Sequence, residues 1–169
     1  PASNFSGNFS IDTSVSDGVA APLLGRKSFT VAADVMLFST PGNDHLVGTS
    51  SLNDTVSYES ATAPVTVSLN IATQQNTLGA GLDTLKDIEN LIGSDFADHL
   101  TGNAANNTLQ GRSGDDVLTG WSGEDTMIGG PGNDSYFVEN TRDIVIEAFS
   151  QGIDSVNSSV TYTLPNNVE

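Results

Sequence analysis

The sequence predicts an all-β fold, a parallel β-roll, and three observations support that prediction. Residues 93–137 repeat every nine residues, as GSDFADHLT, GNAANNTLQ, GRSGDDVLT, GWSGEDTMI and GGPGNDSYF. Each unit has Asp or Asn at its sixth place and an apolar residue at its eighth. A further unit, VENTRDIVI at 138–146, lacks glycine but keeps Asp143 and Val145 in register. A fixed short period of this kind is the signature of a repeat architecture.

Each nine-residue unit divides into a turn and a strand. The first six residues are rich in Gly, Asn and Asp, which a turn needs where its backbone takes a positive φ. The last three form a minimal strand whose middle side chain points to one face and its neighbours to the other. Nine residues make half a coil, so two parallel sheets face each other across a thin core. The predicted core consists of the apolar eighth-place residues Leu100, Leu109, Leu118, Met127, Tyr136 and Val145.

The sixth places predict what holds the stacked turns together. A core one side chain deep offsets only part of the entropy lost in ordering glycine-rich turns. One coil is eighteen residues, so sixth-place residues should form two ladders along the two edges of the roll. Strands in a sheet lie about 4.8 Å apart, and bare carboxylates at that spacing would repel each other. The ladders are Asp98, Asp116 and Asp134 on one edge and Asn107, Asp125 and Asp143 on the other.

Calcium is the cation that suits these ladders. It accepts about six to eight oxygen ligands in flexible geometry, and turn carbonyls can supply those that the side chains do not. Zinc is a poor fit because the chain has no cysteine and its two histidines, His45 and His99, stand far apart. Magnesium demands a stricter octahedron. Four shared Ca²⁺ sites are predicted, at 98/116, 116/134, 107/125 and 125/143, and both turns of 116/134 keep glycine at the first and fourth places.

The segments outside the repeats are less regular. Residues 1–39 are unassigned, with 29–38 (FTVAADVMLF) either a strand or a short helix. Residues 40–92 are predicted to form an irregular β region that leads into the roll at 93–146. Residues 147–169 are predicted to be capping strands that are cut short by the end of the chain.

Individual elements can be predicted within these flanks. The turn at 40–48, which contains Asp44, and the turn at 53–56 could each begin the roll, hold a separate Ca²⁺ or be a plain turn. Alternation of apolar and polar residues predicts strands at 66–69 and 88–92 and one or two capping strands within 155–164. The polar stretch 74–81 is predicted to be a loop.

Composition limits the partners. The chain of 169 residues carries 21 acidic and 5 basic residues, a formal charge of −16. Nucleic acid and anionic membranes both select basic surfaces, so neither is an expected partner, whereas cations are. Membrane insertion is not expected either, because no stretch reaches the roughly twenty apolar residues of a spanning helix. The chain starts with Pro and shows no signal peptide, which is typical of an internal piece of a longer protein.

The repeats resemble the RTX, or haemolysin-type, calcium-binding repeat, whose pattern is G-G-x-G-x-D-x-U-x with U apolar. The segments 54–70, 81–94 and 152–169 are also similar to the flanks of such rolls in secreted bacterial proteins, so the resemblance covers roughly 40–169. It implies a right-handed parallel β-roll in which sixth-place aspartates one coil apart share a Ca²⁺. It also implies main-chain carbonyl ligands at the 116/134 site, from Gly111, Arg112, Ser113, Gly114, Gly129, Gly130, Pro131 and Gly132. Departures from the glycine pattern include Phe96, Ala105, Arg112 and Trp121.

The predicted function is that of a non-catalytic calcium-binding module of a larger extracellular protein, which folds as it binds Ca²⁺. The resemblance implies export through a one-step (type I) channel. Neither a serine elbow (G-x-S-x-G) nor a zinc helix (H-E-x-x-H) occurs in the sequence, and both histidines should point outward. The alternatives are an accessory C-terminal domain of a secreted metalloprotease, lipase or alginate epimerase, or a segment of a calcium-dependent adhesin that contacts a surface or polysaccharide.

Overall fold

Short strands make up the ordered structure of residues 33–51 and 53–168, the part of the chain that the computed structural model describes. This part contains no helix that could cross a membrane. All of its strands lie in the second of the two units into which the chain divides after Ala33. The strands are β1 Met36–Phe38, β2 His45–Val47, β3 Thr55–Ser57, β4 Thr66–Ser68, β5 Gln75–Leu78, β6 Gly81–Lys86, β7 Asn90–Ile92, β8 His99–Thr101, β9 Thr108–Gln110, β10 Val117–Thr119, β11 Thr126–Ile128, β12 Ser135–Val138, β13 Ile144–Ile146 and β14 Ser155–Ser158.

Two parallel sheets contain most of these strands. One has six strands in the order β1-β3-β7-β9-β11-β13, and the other has five in the order β14-β12-β10-β8-β4. From β7 to β14 successive strands alternate between the two sheets, so two turns and two strands complete each coil. The pairing register follows the sequence period, since Leu118 lies beside Leu100 on one side and Tyr136 on the other. The predicted all-β parallel β-roll is confirmed.

The core is a file of side chains from the middle of each strand. The central residue of each three-residue repeat strand is buried, whereas its neighbours are partly or fully exposed. The same file continues toward the amino-terminal side through Val56, Val67 and Leu91, in β3, β4 and β7. The predicted core residues are all at most 3 % exposed: Leu100, Leu109, Leu118, Met127, Tyr136 and Val145.

Strand pairing continues on both sides of residues 93–146. The turn at 53–56 feeds β3, which pairs with β7 so that Val56 lies beside Leu91. At the other end β14 pairs with β12. Strands predicted at 66–69, 88–92 and within 155–164 occur as β4, β7 and β14. The division into domains stays a prediction, and the unassigned segment 1–39 lies outside the described residues except for 33–39, which contain β1.

The predicted loop at 74–81 is wrong. It contains β5, which pairs antiparallel with β6, and β6 pairs parallel with β2 to complete a three-stranded sheet. The stretch has the composition of a loop because its inward-facing residues, Gln75 and Thr77, are polar and yet buried. The Gln75 amide accepts the Ser68 N–H at 2.8 Å and donates to the Ser68 carbonyl at 3.0 Å. Paired in this way, a polar side chain can be buried without leaving an unsatisfied group.

Candidate metal centre

The sixth-place residue of each unit stands directly before a strand, so stacking of the strands also stacks these residues. Asp98, Asp116 and Asp134 precede β8, β10 and β12, which are neighbours in the five-stranded sheet. The other three precede β9, β11 and β13, which are neighbours in the six-stranded sheet. All six side chains are at most 4 % exposed: Asp98, Asn107, Asp116, Asp125, Asp134 and Asp143.

Each ladder is joined by hydrogen bonds from the backbone of one coil to a carboxylate of the next. The Asp98 N–H donates to Asp116 Oδ1 at 2.7 Å, and the Asp116 N–H donates to Asp134 Oδ1 at 2.7 Å. On the other edge the Asn107 N–H donates to Asp125 Oδ1 at 2.8 Å, and the Asp125 N–H donates to Asp143 Oδ1 at 3.1 Å. The structure therefore brings together all four pairs that the eighteen-residue spacing predicts.

The second carboxylate oxygen, Oδ2, is the unusual feature of the ladders. In Asp116, Asp125 and Asp134 this oxygen is buried and has no hydrogen-bond partner. A Cβ added to Gly111 would overlap Asp116 Oδ2 and would lie 2.9 Å from the Gly129 carbonyl oxygen. The first-place glycine thus leaves space beside two oxygens of successive turns. A buried carboxylate oxygen without a partner is costly, and a cation in that space would remove the cost.

The carboxylate at one end of each ladder has no such free oxygen. Asp98 accepts the Val65 N–H at 2.8 Å and the Ser94 hydroxyl at 2.7 Å, and its Oδ2 accepts the Ser94 N–H. Asp143 Oδ2 accepts the N–H groups of Glu139 and Asn140, at 3.2 and 3.0 Å. The oxygens of these two carboxylates are therefore already occupied by hydrogen bonds within the protein.

Asn107 is also committed within the protein. Its Nδ2 donates to the Glu89 carbonyl at 2.7 Å, and its Oδ1 accepts the Asn103 N–H at 2.7 Å. The amide is neutral, so it offers a cation less than a carboxylate does. The geometry favours Asp116, Asp125 and Asp134 over the other three predicted side-chain ligands.

The carbonyl groups implied by the family resemblance belong to two turns that stack directly. The Arg112 N–H donates to the Gly129 carbonyl and the Gly114 N–H to the Pro131 carbonyl, both at 2.9 Å. A carbonyl oxygen has two lone pairs, so each of these acceptors keeps one for a metal ion. The other main-chain groups implied as ligands lie in the same pair of turns: Gly111, Arg112, Ser113, Gly114, Gly130 and Gly132.

Burial raises the pKa of each unpaired carboxylate, because a charge is less stable away from water. The pKa rises from the ordinary 3.8 to about 8 for Asp116, about 7 for Asp125 and about 6 for Asp134. Desolvation is the largest cause of these increases in pKa, and neighbouring carboxylates add to it. Without a cation these groups therefore keep their protons to a higher pH than an ordinary aspartate does.

Both ladders continue beyond the predicted residues, and sequence reasoning missed the continuation through Asp154. Asp154 follows Asp134, whose N–H donates to Asp154 Oδ1 at 2.9 Å. The spacing of twenty residues rather than eighteen conceals it, although FSQGIDSVN at 149–157 has Gly fourth, Asp sixth and Val eighth. On the other edge the Asp54 N–H donates to Glu89 Oε2 at 3.0 Å. The turn at 53–56 is therefore aligned with the Asn107 edge of the roll.

The turn at 40–48 belongs to the small sheet rather than to the two main sheets. Asp44 accepts the Thr40 N–H at 2.7 Å and the Thr40 hydroxyl at 3.0 Å, and its own N–H donates to Asp83 Oδ1 at 2.9 Å. His45 follows it in β2, and His99 opens β8. Both histidine side chains are exposed, as predicted.

Comparison with known proteins identifies the repeats. A family model described as RTX calcium-binding nonapeptide repeat (4 copies) matches residues 87–111 and 101–136. No curated protein matches the chain significantly. The matched residues include β7 to β11 and the start of β12, which form the regular part of the parallel solenoid. Residues 87–136 carry RTX calcium-binding nonapeptide repeats, so the chain contains a calcium-binding RTX β-roll module.

Proposed function

We propose that this chain is a non-catalytic module of a larger extracellular bacterial protein, and that its roll folds only when Ca²⁺ binds between its turns. The observation that supports this proposal is the set of buried carboxylate oxygens without partners, on Asp116, Asp125 and Asp134. Each faces the space left by a first-place glycine. The ladders supply only oxygen ligands, which Ca²⁺ prefers.

The charge balance of the roll calls for cations from outside the protein. None of the ion pairs among the described residues involves a ladder carboxylate. The basic side chains instead pair near the surface, as Lys86–Asp87, Arg112–Glu59, Arg112–Asp95 and Arg142–Glu124. The buried negative charge therefore has no counterion in this part of the protein, and a bound Ca²⁺ would supply it.

The best of the proposed sites lies between the turns that end at Asp116 and Asp134. These two carboxylates and the turn carbonyls of Gly129 and Pro131 would hold the ion. Two similar sites would use Asp125, one with Asn107 and one with Asp143, and another would use Asp98 with Asp116. When bound, Ca²⁺ would neutralise the carboxylates and tie successive coils together, so its binding free energy would become folding free energy.

Calcium-dependent folding fits an exported protein. Ca²⁺ is scarce in the cytoplasm and abundant outside the cell, so the roll would stay unfolded until it has left. Export by type I secretion, which is typical of RTX repeat proteins, passes an unfolded chain. The roll would then fold and act as a stable extracellular segment of the parent protein.

Circular dichroism of the full 169-residue chain tests this proposal. The far-ultraviolet spectrum should be that of a disordered chain in chelator and should gain strand signal cooperatively as CaCl₂ is added. Mg²⁺ at the same concentration should not replace Ca²⁺. Equal strand content in chelator and in saturating CaCl₂ would exclude calcium-dependent folding.

A further inference from the structure

A group of three buried carboxylates lies at the carboxy-terminal end of the roll. One oxygen each from Asp134, Glu147 and Asp154 lies within 4.8 Å of the others. The three side chains are 1 %, 8 % and 2 % exposed. We call these three residues the cap cluster. Asp154 and Glu147 both lie beyond the residues that match the nonapeptide repeat.

The fold brings the cap cluster together from both sheets. Asp134 and Asp154 precede β12 and β14, which pair in register, and the Asp134 N–H donates to Asp154 Oδ1 at 2.9 Å. Glu147 follows directly after β13 in the opposite sheet. Its Oε1 accepts the hydroxyl of Tyr136, which is fully buried in the core. Glu147 is therefore held in place by a side chain of the roll itself.

Two oxygens of the cap cluster have no partner. Asp134 Oδ2 and Glu147 Oε2 are both buried without a hydrogen bond. Three carboxylates thus share a small buried volume, and the ion pairs among the described residues include neither Asp134 nor Glu147. Burying charges in this way is costly unless a counterion is present.

The turn that carries Asp154 buries little apolar surface. Phe149 and Ile153 in this turn are 85 % and 71 % exposed, so apolar burial contributes little there. Its contacts with the preceding coil are polar, for example the Gly132 N–H to the Gln151 carbonyl at 2.7 Å. An interaction at the cap cluster would therefore add to the polar contacts that hold this turn on the roll.

The geometry points to a further Ca²⁺ site formed by Asp134, Glu147 and Asp154, which fastens the carboxy-terminal turn to the roll. Carboxylate oxygens are hard ligands and the cluster contains neither His nor Cys, which favours Ca²⁺ over zinc. The site goes beyond the proposed function because the Glu147 carboxylate comes from outside the nonapeptide turns. The ladder sites 98/116, 107/125 and 125/143 share no residue with it.

The variant Glu147→Gln in the full chain tests this site, since it keeps the shape of the side chain and removes its charge. Glu124→Gln is the matched control, because Glu124 lies in a repeat turn, is half-exposed and pairs only with Arg142 among the described ion pairs. Native mass spectrometry in CaCl₂ should count one fewer bound ion for Glu147→Gln than for the wild type. The count for Glu124→Gln should equal that of the wild type.

Hydrogen exchange locates the effect. Ca²⁺ should slow exchange in both 111–136 and 147–158 of the wild type, and Glu147→Gln should lose the slowing only in 147–158. Asp154→Asn should reproduce that result. An unchanged ion count and unchanged protection in Glu147→Gln would overturn the site, as would failure of either variant to form the roll in saturating CaCl₂. Absence of any Ca²⁺-dependent protection in the wild type would instead contradict the proposed function.

Discussion

The two oxygens of each ladder carboxylate have different surroundings. Oδ1 accepts a backbone N–H from the preceding coil, while Oδ2 of Asp116, Asp125 and Asp134 is buried without a partner. The first oxygen therefore fixes the side chain, and the second is available to a cation. This division of roles makes the sixth-place residue both a structural and a metal-binding residue.

Replacing one ladder carboxylate should weaken calcium binding at the sites that share it. Asp116→Asn keeps the Oδ1 acceptor but removes the charge, so the Ca²⁺ concentration at half-folding should rise roughly tenfold or more, since affinity follows ligand charge. Asp115→Asn is the matched control, because Asp115 is adjacent and exposed. Calcium titrations followed by circular dichroism measure both variants. Equal midpoints for the two variants would contradict the assignment of Asp116.

The raised pKa values predict an unusual pH dependence without metal. The folded-state pKa values of Asp116, Asp125 and Asp134, about 8, 7 and 6, exceed the ordinary 3.8. The folded state therefore binds more protons than the unfolded state between these limits, and its stability falls as pH rises. In chelator, acid should therefore favour the roll, and the strand signal in circular dichroism should be stronger at pH 5 than at pH 8. A strand signal in chelator that increases between pH 5 and pH 8 would contradict the burial of these carboxylates.

At the scale of one turn and strand, glycine serves two separate purposes. The first-place glycines leave room for the sixth-place carboxylate, and the fourth-place Gly114, Gly123 and Gly132 have φ of 121°, 122° and 151°. The second place also has positive φ, and Arg112 and Trp121 adopt it at 90° and 77°. A side chain in that conformation is strained.

A methyl group at the first place should disrupt the site. In Gly111→Ala the new Cβ would overlap Asp116 Oδ2, so the free energy of unfolding in CaCl₂ should fall by about 2 kcal/mol and the calcium midpoint should rise. Gly42→Ala is the matched control, because its Cβ would meet only Thr40 Oγ1, at 3.8 Å. Urea unfolding compares the two. A loss of the same size in both variants would show that the space beside Asp116 is unimportant.

Relief of strain at the second place should stabilise the roll. Trp121 is half-exposed, with φ of 77°, so Trp121→Gly should raise the free energy of unfolding by about 0.5–1 kcal/mol, as glycine's extra entropy in the unfolded chain offsets part of the gain. Trp121→Ala removes the same ring but keeps the Cβ, so it should give no gain. Urea unfolding in saturating CaCl₂ measures both. Equal stability of the two variants would show that the backbone conformation is not the cause.

The regular elements could be predicted because one rule governs them. A nine-residue period fixes strand position, register and the buried file from Leu100 to Val145 at once. The β5 hairpin could not be predicted, since its inward residue Gln75 is polar and finds its partner, Ser68, only in the folded chain. The local amino-acid composition does not indicate that Gln75 and Ser68 pair.

Only part of the candidate site could be predicted from the sequence. Arithmetic on the sixth places predicts which residues meet, but not that Asp98 and Asp143 are already satisfied by Ser94, Val65 and their own turns. Those hydrogen bonds depend on which residues occupy the other places of the turn. The position of Glu147 is not set by the nine-residue period. It follows β13 of the six-stranded sheet, whereas Asp134 and Asp154 precede strands of the five-stranded sheet.

At the scale of the whole molecule, charge opposes the fold. The chain carries a formal charge of −16, and the ladders concentrate part of that charge in buried files. Four Ca²⁺, one for each predicted ladder site, would carry about +8 and offset half of it. Bound Ca²⁺ would thus both offset the repulsion between coils and compensate for the thin core, so the stability of the roll should depend on it.

A diffraction structure from calcium-containing crystals tests this account most directly. Density for an ion should lie about 2.3–2.6 Å from carboxylate oxygens of both Asp116 and Asp134, with turn carbonyls completing its coordination. Crystals grown with Ca²⁺ that show these two carboxylates apart, or bridged only by water, would contradict it.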